Sequence, residues 1–385
     1  MLPETSPDTA VNPDTDFIRE VLASSGGNLK RCYQCATCAS VCALSTDGVP
    51  FPRQQMIATQ WGLKDRLLND PAIWLCHNCD DCTLRCPRDA KPGAVMAALR
   101  EQAIGHYAWP RFMARFTSHS KYLPLLLAPP ILIFAAIAKW APREAPTPRL
   151  EFTNVFPDPV LEVVFWAVAL FVILVYGVGI ARMVKGLRQA GYHGRILGTL
   201  IPTAVEILSH KRFGLCTTEK RRRWGHLLTM FGFGGLFLVE VMVGIGYFTG
   251  TVQVPLPMTS PIKLFANLCT IALAAGLIAI GLERIGSREA LAPNTYFDWF
   301  FLATLAGVVL TGIMCQFLRL AQSATYMYPV YFVHLVAVFC LFLYAPYSKF
   351  SHIVYRTVAM AATWDQRVQA EPRVVTTKEA LAQSA

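Results

Sequence analysis

Two stretches, CYQCATCASVC at residues 32–42 and CHNCDDCTLRCP at residues 76–87, decide how the N-terminal third of this chain is read. Both have the spacing C-x2-C-x2-C-x3-C, the bacterial ferredoxin pattern for a pair of [4Fe–4S] clusters. Three thiolates on one tight loop can grip three irons of a cubane. The fourth cysteine is carried off that loop and reaches the other cluster. The spacing therefore predicts one cluster on Cys32, Cys35, Cys38 and Cys86, and a second on Cys76, Cys79, Cys82 and Cys42. Paired C-x2-C units also bind structural zinc, but four cysteines in this exchange pattern, twice over, favour iron–sulfur. The link between the runs, FPRQQMIATQWGLKDRLLNDPAIW (51–74), has helical periodicity bounded by Pro52 and Pro71. That predicts a helical ferredoxin rather than a strand-rich one.

The rest of the chain differs in character. Of 385 residues, 54% are hydrophobic and only 16% are charged, against about 25% charged in ordinary soluble domains. This composition excludes disorder over most of the length and an ordinary soluble enzyme. Six apolar stretches follow residue 120, at 123–138, 160–181, 226–248, 264–282, 297–318 and 328–347. A membrane helix needs about 20 apolar residues, and five stretches meet this. The first is shorter and holds Pro124, Pro129 and Pro130, so it reads either as a span or as a re-entrant segment.

Net charge is +10, from 35 Lys and Arg against 25 Asp and Glu. The excess is concentrated between the second and third apolar stretches. Arg182, Lys185, Arg188, Arg195, Lys211, Arg212, Lys220, Arg221, Arg222 and Arg223 all lie there. The positive-inside rule places that segment, and with six spans both termini, in the cytoplasm. The basic excess is thereby assigned to membrane topology and not to nucleic acid. The acidic, polar start MLPETSPDTAVNPDTD has no signal-peptide character, which keeps the cysteine runs in a reducing compartment, where clustered cysteines mean metal. The expected organisation is all-α: a tail (1–16), a cytoplasmic helical ferredoxin domain (17–120), a six-helix transmembrane bundle (121–360) and a C-terminal tail (361–385). The expected location is a bacterial or archaeal inner membrane.

Ionisable groups within membrane helices are functional candidates by default. His334 and His352 are 18 residues apart, which is five turns if a single helix runs through both, about 27 Å at ~1.5 Å per residue. On one face they could ligate two b-type haems. His226 opens the third span level with His352. The GFGG run after it (232–235) would let a flat macrocycle approach the backbone. His210 sits in the basic segment and is either a ligand or a solvated side chain. Pairing stays open between His226–His352, which the depth argument prefers, and His210–His352 with His226–His334. Glu240 lies deep in the third span in LFLVEVMVG, about 10 Å inside the outer surface at ~1.5 Å per residue, a depth similar to His334. Glu240 and His334 are accordingly the candidates for handling quinol protons, the alternative being a structural, hydrogen-bonded Glu.

At these residues the sequence resembles known families. HLVAVFCLFLYAPYSKFSHIVYR (334–356) looks like the last helix of the nitrate reductase gamma family of membrane cytochromes b. HKRFGLCTTEKRRRWGHLLTMFGF (210–233) is similar to the heterodisulfide reductase membrane subunit, and the cysteine runs resemble its small iron–sulfur subunit. The fusion of the two resembles the membrane subunit of the quinone-interacting membrane-bound oxidoreductase (Qmo) complexes. That resemblance implies two [4Fe–4S] clusters, one or two haems b and a menaquinone or ubiquinone substrate. It also implies two flavin-containing iron–sulfur partner subunits and a link to adenylylsulfate reductase in sulfur metabolism. In the nitrate reductase pattern a second histidine follows about ten residues after the first, whereas Leu236 stands at that place here. The alternative is a heterodisulfide reductase-like respiratory anchor without its own quinone site. A transporter with a regulatory iron–sulfur domain is disfavoured by the lack of paired Gly/Pro-broken helices.

Overall fold

The computed structural model describes residues 12–26, 28–46, 48–142, 149–209, 220–286 and 295–370. The fold is all-α, and no β-strand forms among the described residues. Each cysteine run contains a one-turn helix before its fourth cysteine. The N-terminal helices are α1 (Thr15–Ser24), α2 (Thr37–Ser40), α3 (Arg53–Gln60), α4 (Lys64–Leu68), α5 (Ala72–Leu75), α6 (Asp81–Leu84), α7 (Pro92–Tyr107) and α8 (Arg111–Thr117). The expected proline boundaries hold: α3 begins after Pro52 and α5 after Pro71. Proline suits the start of a helix because its missing N–H has no partner there anyway.

Six longer helices follow, each long and apolar enough to cross a membrane. They are contained in α9 (Leu123–Trp140), α10 (Asp158–Gln189), and, after the short α11 (Leu200–Ser209), α12 (Lys220–Phe248), α13 (Pro261–Gly286), α14 (Tyr296–Leu320) and α15 (Ala324–Leu343). Pro129 and Pro130 lie inside α9 without ending it. α12 pairs closely with α13, α14 with α15, and α15 is flanked by α9 and α10. The chain then breaks at 344–351 and resumes as α16 (His352–Ala362) and α17 (Trp364–Ala370). His334 and His352 are therefore not on one helix, and the five-turn argument for a shared face does not apply. The break is held by side chains. Tyr344 Oη donates to Leu126 O (2.7 Å), Tyr347 Oη to Trp109 O (2.7 Å), and Thr117 Oγ1 to Tyr347 O (2.8 Å).

The core of the cysteine-bearing region is not self-contained. Phe17, Val21, Met56, Trp74, Leu99 and Tyr107 form one buried cluster with Met183 and Leu187 of α10 and with Tyr355, Val358 and Ala359 of α16. α10 has 32 residues, about 48 Å at ~1.5 Å per residue, against roughly 30 Å for a hydrocarbon core. Its last turns therefore reach the iron–sulfur region. There Arg182 donates to Tyr107 O (3.2 Å) and Ala108 O (2.7 Å). Gly186 meets Asn69 so closely that a Cβ would fall 1.9 Å from its Oδ1.

Candidate functional site

The two cysteine loops have the same backbone. Gln34 and Ala36 take left-handed φ of 60° and 68°, and Asn78 and Asp80, at the matching positions, take 54° and 61°. Non-glycine residues adopt this region at a cost, so its repetition at both positions of both loops marks one motif used twice. The fourth cysteine of each run crosses over to the other loop. Cys38 lies within electrostatic range of Cys32, Cys35 and Cys86, while Cys82 lies within range of Cys76, Cys79 and Cys42. Cys32, Cys35, Cys38 and Cys86 line one small cavity with Gln34 and Thr37. Among the described residues no three His, Cys, Asp or Glu side chains converge on a single-ion site. The donors are instead two four-thiol sets, the donor chemistry that a cubane takes.

Burial pushes the bare thiols of Cys38 and Cys42 up to about 11. Bound metal reverses this, because a coordinating thiol is deprotonated outright. Cys35 is exposed, and a hydrogen bond with the Thr37 hydroxyl lowers its thiol from the ordinary value.

A second candidate site lies where α12 meets α16. The His226 and His352 rings face each other with centroids 6.4 Å apart and planes at 65°. A metal bonded to one nitrogen of each ring would hold the centroids roughly 6 Å apart, at about 2 Å per bond. His352 Nδ1 lies 2.7 Å from Lys349 O. A carbonyl can only accept, so Nδ1 carries the proton and Nε2 keeps its lone pair, the arrangement a metal-binding imidazole needs. Burial lowers the His352 pKa to about 4, so the ring is neutral. Phe233 and Phe301 both pack on Phe350 beside this pair, at centroid distances of 5.3 Å and 5.9 Å.

The glycine run does other work than expected. A Cβ on Gly232 would fall 2.6 Å from Leu273 N, one on Gly235 2.4 Å from Cys269 Sγ, and one on Gly276 2.7 Å from Thr229 N. Gly232 and Gly235 thus seat α13 against α12 and leave no room there for a macrocycle.

His334 sits in the middle of α15. Thr311 Oγ1 donates to Gly307 O (2.6 Å), so it accepts from His334 Nδ1 at 2.9 Å and leaves Nε2 as the acceptor. The His334 ring stacks near Tyr331, with centroids 6.4 Å apart at 26°. Glu240 lies within electrostatic range of Tyr331. Its side chain is exposed on the surface of the bundle. His210 lies outside the described residues.

Sequence reasoning missed several residues that these sites use. Arg356 joins α16 to the second cysteine loop, and its spacing four residues after His352 was a signal for it. Thr311, which fixes the His334 tautomer, had no such signal because it lies on another helix.

A bundle of membrane-length helices joined through one core to twin four-cysteine loops defines an iron–sulfur electron-transfer protein. The comparisons agree. The family model for a 4Fe-4S dicluster domain matches residues 28–90, and that for citrate utilization protein B matches residues 176–372. The chain belongs to the citrate utilization protein B family. It is 27% identical to citrate utilization protein B of Escherichia coli over 358 residues, covering 86% of this chain and 88% of that one. Its N-terminal part is 38% identical over 93 residues to the C subunit of the H(2):CoB-CoM heterodisulfide,ferredoxin reductase of Methanothermobacter thermautotrophicus, covering 24% of this chain and 50% of that protein. A protein of Archaeoglobus profundus that is itself like the C subunit of heterodisulfide reductase is 39% identical over 93 residues, again 24% of this chain and 50% of the relative. The chain thus spans about half the length of these iron–sulfur relatives. No solved structure matches it.

Proposed function

We propose that this chain is the membrane electron-transfer subunit of a quinone-linked oxidoreductase complex. In this reading Cys32, Cys35, Cys38 and Cys86 hold one [4Fe–4S] cluster, and Cys42, Cys76, Cys79 and Cys82 hold the other. His226 and His352 hold a haem b. These groups supply one-electron carriage when bound. The observation that carries the reading is the position of α16, whose first residue belongs to the histidine pair and whose next turn contacts the second cysteine loop. One short helix therefore joins both sites.

The protein's own residues supply the surroundings. Lys349 O fixes the His352 tautomer, and Tyr355, packed on Trp74 and Tyr107 at 5.3 Å each, seals the junction. His334, oriented by Thr311 and beside Tyr331, offers Nε2 as a proton acceptor for a quinol substrate, with Glu240 at the lipid-facing surface as the second group. The charge distribution supports a cytoplasmic iron–sulfur region in an inner membrane, with the domains divided near residue 120.

The relatives that are C subunits of reductases support the presence of partner subunits, by resemblance flavin-containing iron–sulfur proteins. Two metabolic settings follow from the resemblances, adenylylsulfate reduction and citrate utilization. Family membership, which covers the greater length of the chain, favours the second. The test is a reduced-minus-oxidised visible spectrum of anaerobically purified protein, with iron and haem assays. A b-type α-band over broad iron–sulfur bleaching supports the reading. Bleaching without a haem band would leave only a membrane-anchored ferredoxin.

A further inference from the structure

Arg356 ties the helix bundle to one cysteine set and not the other. Its Nη1 donates to Cys76 O at 3.1 Å, and its Nη2 donates to His77 Nδ1 at 3.0 Å. It lies one turn beyond His352 on the same face of α16. The Cys32 set has an open edge instead. Cys35 is exposed, Tyr33 beside it is 70% exposed, and Arg88 lies over the Tyr33 ring at 4.3 Å.

We propose that Arg356 is a positioning residue through which the helix bundle raises the reduction potential of the cluster on Cys42, Cys76, Cys79 and Cys82. That cluster is thereby the inner one, next to the His226–His352 site. The cluster on Cys32, Cys35, Cys38 and Cys86 is the outer one, where a soluble partner exchanges electrons. The inference rests on the two-cluster reading above.

The effect is electrostatic. One-electron reduction adds a negative charge to a cluster. A guanidinium stays protonated at any working pH, and hydrogen bonds and nearby charge at the ligands shift the potential of an iron–sulfur cluster. Here the charge is held against a ligand's own carbonyl, beside buried Trp74 and Tyr355, where screening by water is weak. Other charges face the same loop. Arg100 of α7 donates to Asn78 Oδ1 (2.6 Å) and Ile73 O (3.1 Å), and the buried Asp80 and Asp81 belong to the loop itself. All of these stay constant when Arg356 alone is changed.

The experiment is an EPR-monitored redox titration of the full-length, cluster-loaded protein as wild type, Arg356→Gln, Arg356→Met and Arg356→Lys. Met keeps an apolar stem in the junction and serves where Gln does not assemble. Iron content reports assembly in each case. The expected result is a downward shift of one cluster's midpoint in Gln and Met, with Lys staying near wild type. The shifted signal should be the one altered by Cys42→Ser and untouched by Cys35→Ser. Unmoved midpoints in both charge-deleting variants, or a shift in the signal altered by Cys35→Ser, would overturn the proposal. A single cluster in the wild-type protein would instead overturn the two-cluster reading before any variant is made.

Discussion

His226 on α12 and His352 at the head of α16 meet ring to ring, 6.4 Å between centroids, although they are 126 positions apart in the chain. That meeting requires the break at 344–351. α15 ends at Leu343, and the chain turns so that His352 points across to α12. Replacing either histidine by alanine should remove haem while leaving non-haem iron intact, as read by a pyridine haemochrome assay beside a non-haem iron assay. Full haem content in His352→Ala would sink this pairing.

The crossed cysteine sets give a second expectation. Non-haem iron should approach eight per chain in anaerobically prepared protein. Cys86→Ser should disturb the same EPR signal as Cys35→Ser, and Cys42→Ser the other. If Cys86→Ser and Cys76→Ser affected one signal together, each run would hold its own cluster and the crossing would be wrong.

Close helix packing predicts a loss that acts at a distance. A Cβ on Gly276 would sit 2.5 Å from Thr229 Oγ1 and 2.8 Å from Gly225 O, one turn and one residue from His226 respectively. Overpacking of this kind costs about 1–3 kcal/mol. Gly276→Val should therefore lower thermal stability in detergent and deplete haem, while the cysteine loops, which are remote from α13, keep their iron. Equal loss of iron and haem would point to general misfolding instead.

Glu101 on α7 gives a pH dependence. Burial, only partly offset by a hydrogen bond with Ser118, raises its carboxyl from 4.5 to about 7, in range of Lys349 and Asp298. An acid raised on folding binds more protons in the folded state than in the unfolded one. Its contribution is present below about 4.5 and lost as pH rises through about 7. At ~1.4 kcal/mol per unit the full change is of the order of 3 kcal/mol. Wild type should melt lower at pH 8 than at pH 6, and Glu101→Gln should narrow that difference. The same difference in both proteins would show that Glu101 does not carry it.

Much of this was legible in the residues. The cysteine spacing predicted both loops, and the proline boundaries and apolar lengths predicted the helices, because each is a local property of the chain. The meeting of His226 with His352 was reached from depth alone. The route to it was wrong in one respect, since periodicity across 334–352 suggested one helix while Tyr344, Tyr347 and Thr117 hold a break. The glycines at 232–235 pointed to close approach, but sequence could not say whether a cofactor or α13 approaches. Thr311 and Glu101 act through partners on other helices, and no local pattern announces such partners.

A carboxylate on the lipid-facing side of a membrane helix is costly unless it meets a partner or a polar substrate. Glu240 is exposed on α12, within electrostatic range of Tyr331, and Tyr331 in turn stacks near His334. The groups thus lead from the bundle surface inward to an imidazole whose Nε2 is kept as an acceptor by Thr311. By helix position Glu240 is eight residues from the end of α12 and His334 ten from the start of α15, so their depths are similar, about 12 and 15 Å at ~1.5 Å per residue. A quinol entering from the bilayer would reach the carboxylate first and the imidazole second, and its oxidation releases two protons for two electrons. General-base assistance is worth about 10²–10⁴-fold. Glu240→Gln should slow haem reduction by a short-chain quinol by roughly 10²-fold and flatten its pH dependence, with haem and iron content unchanged. His334→Gln, which keeps a polar group but loses the basic nitrogen, should do the same. A Glu240→Gln rate and pH profile equal to wild type would make Glu240 structural and move the quinol site elsewhere, most directly to the neighbourhood of His352.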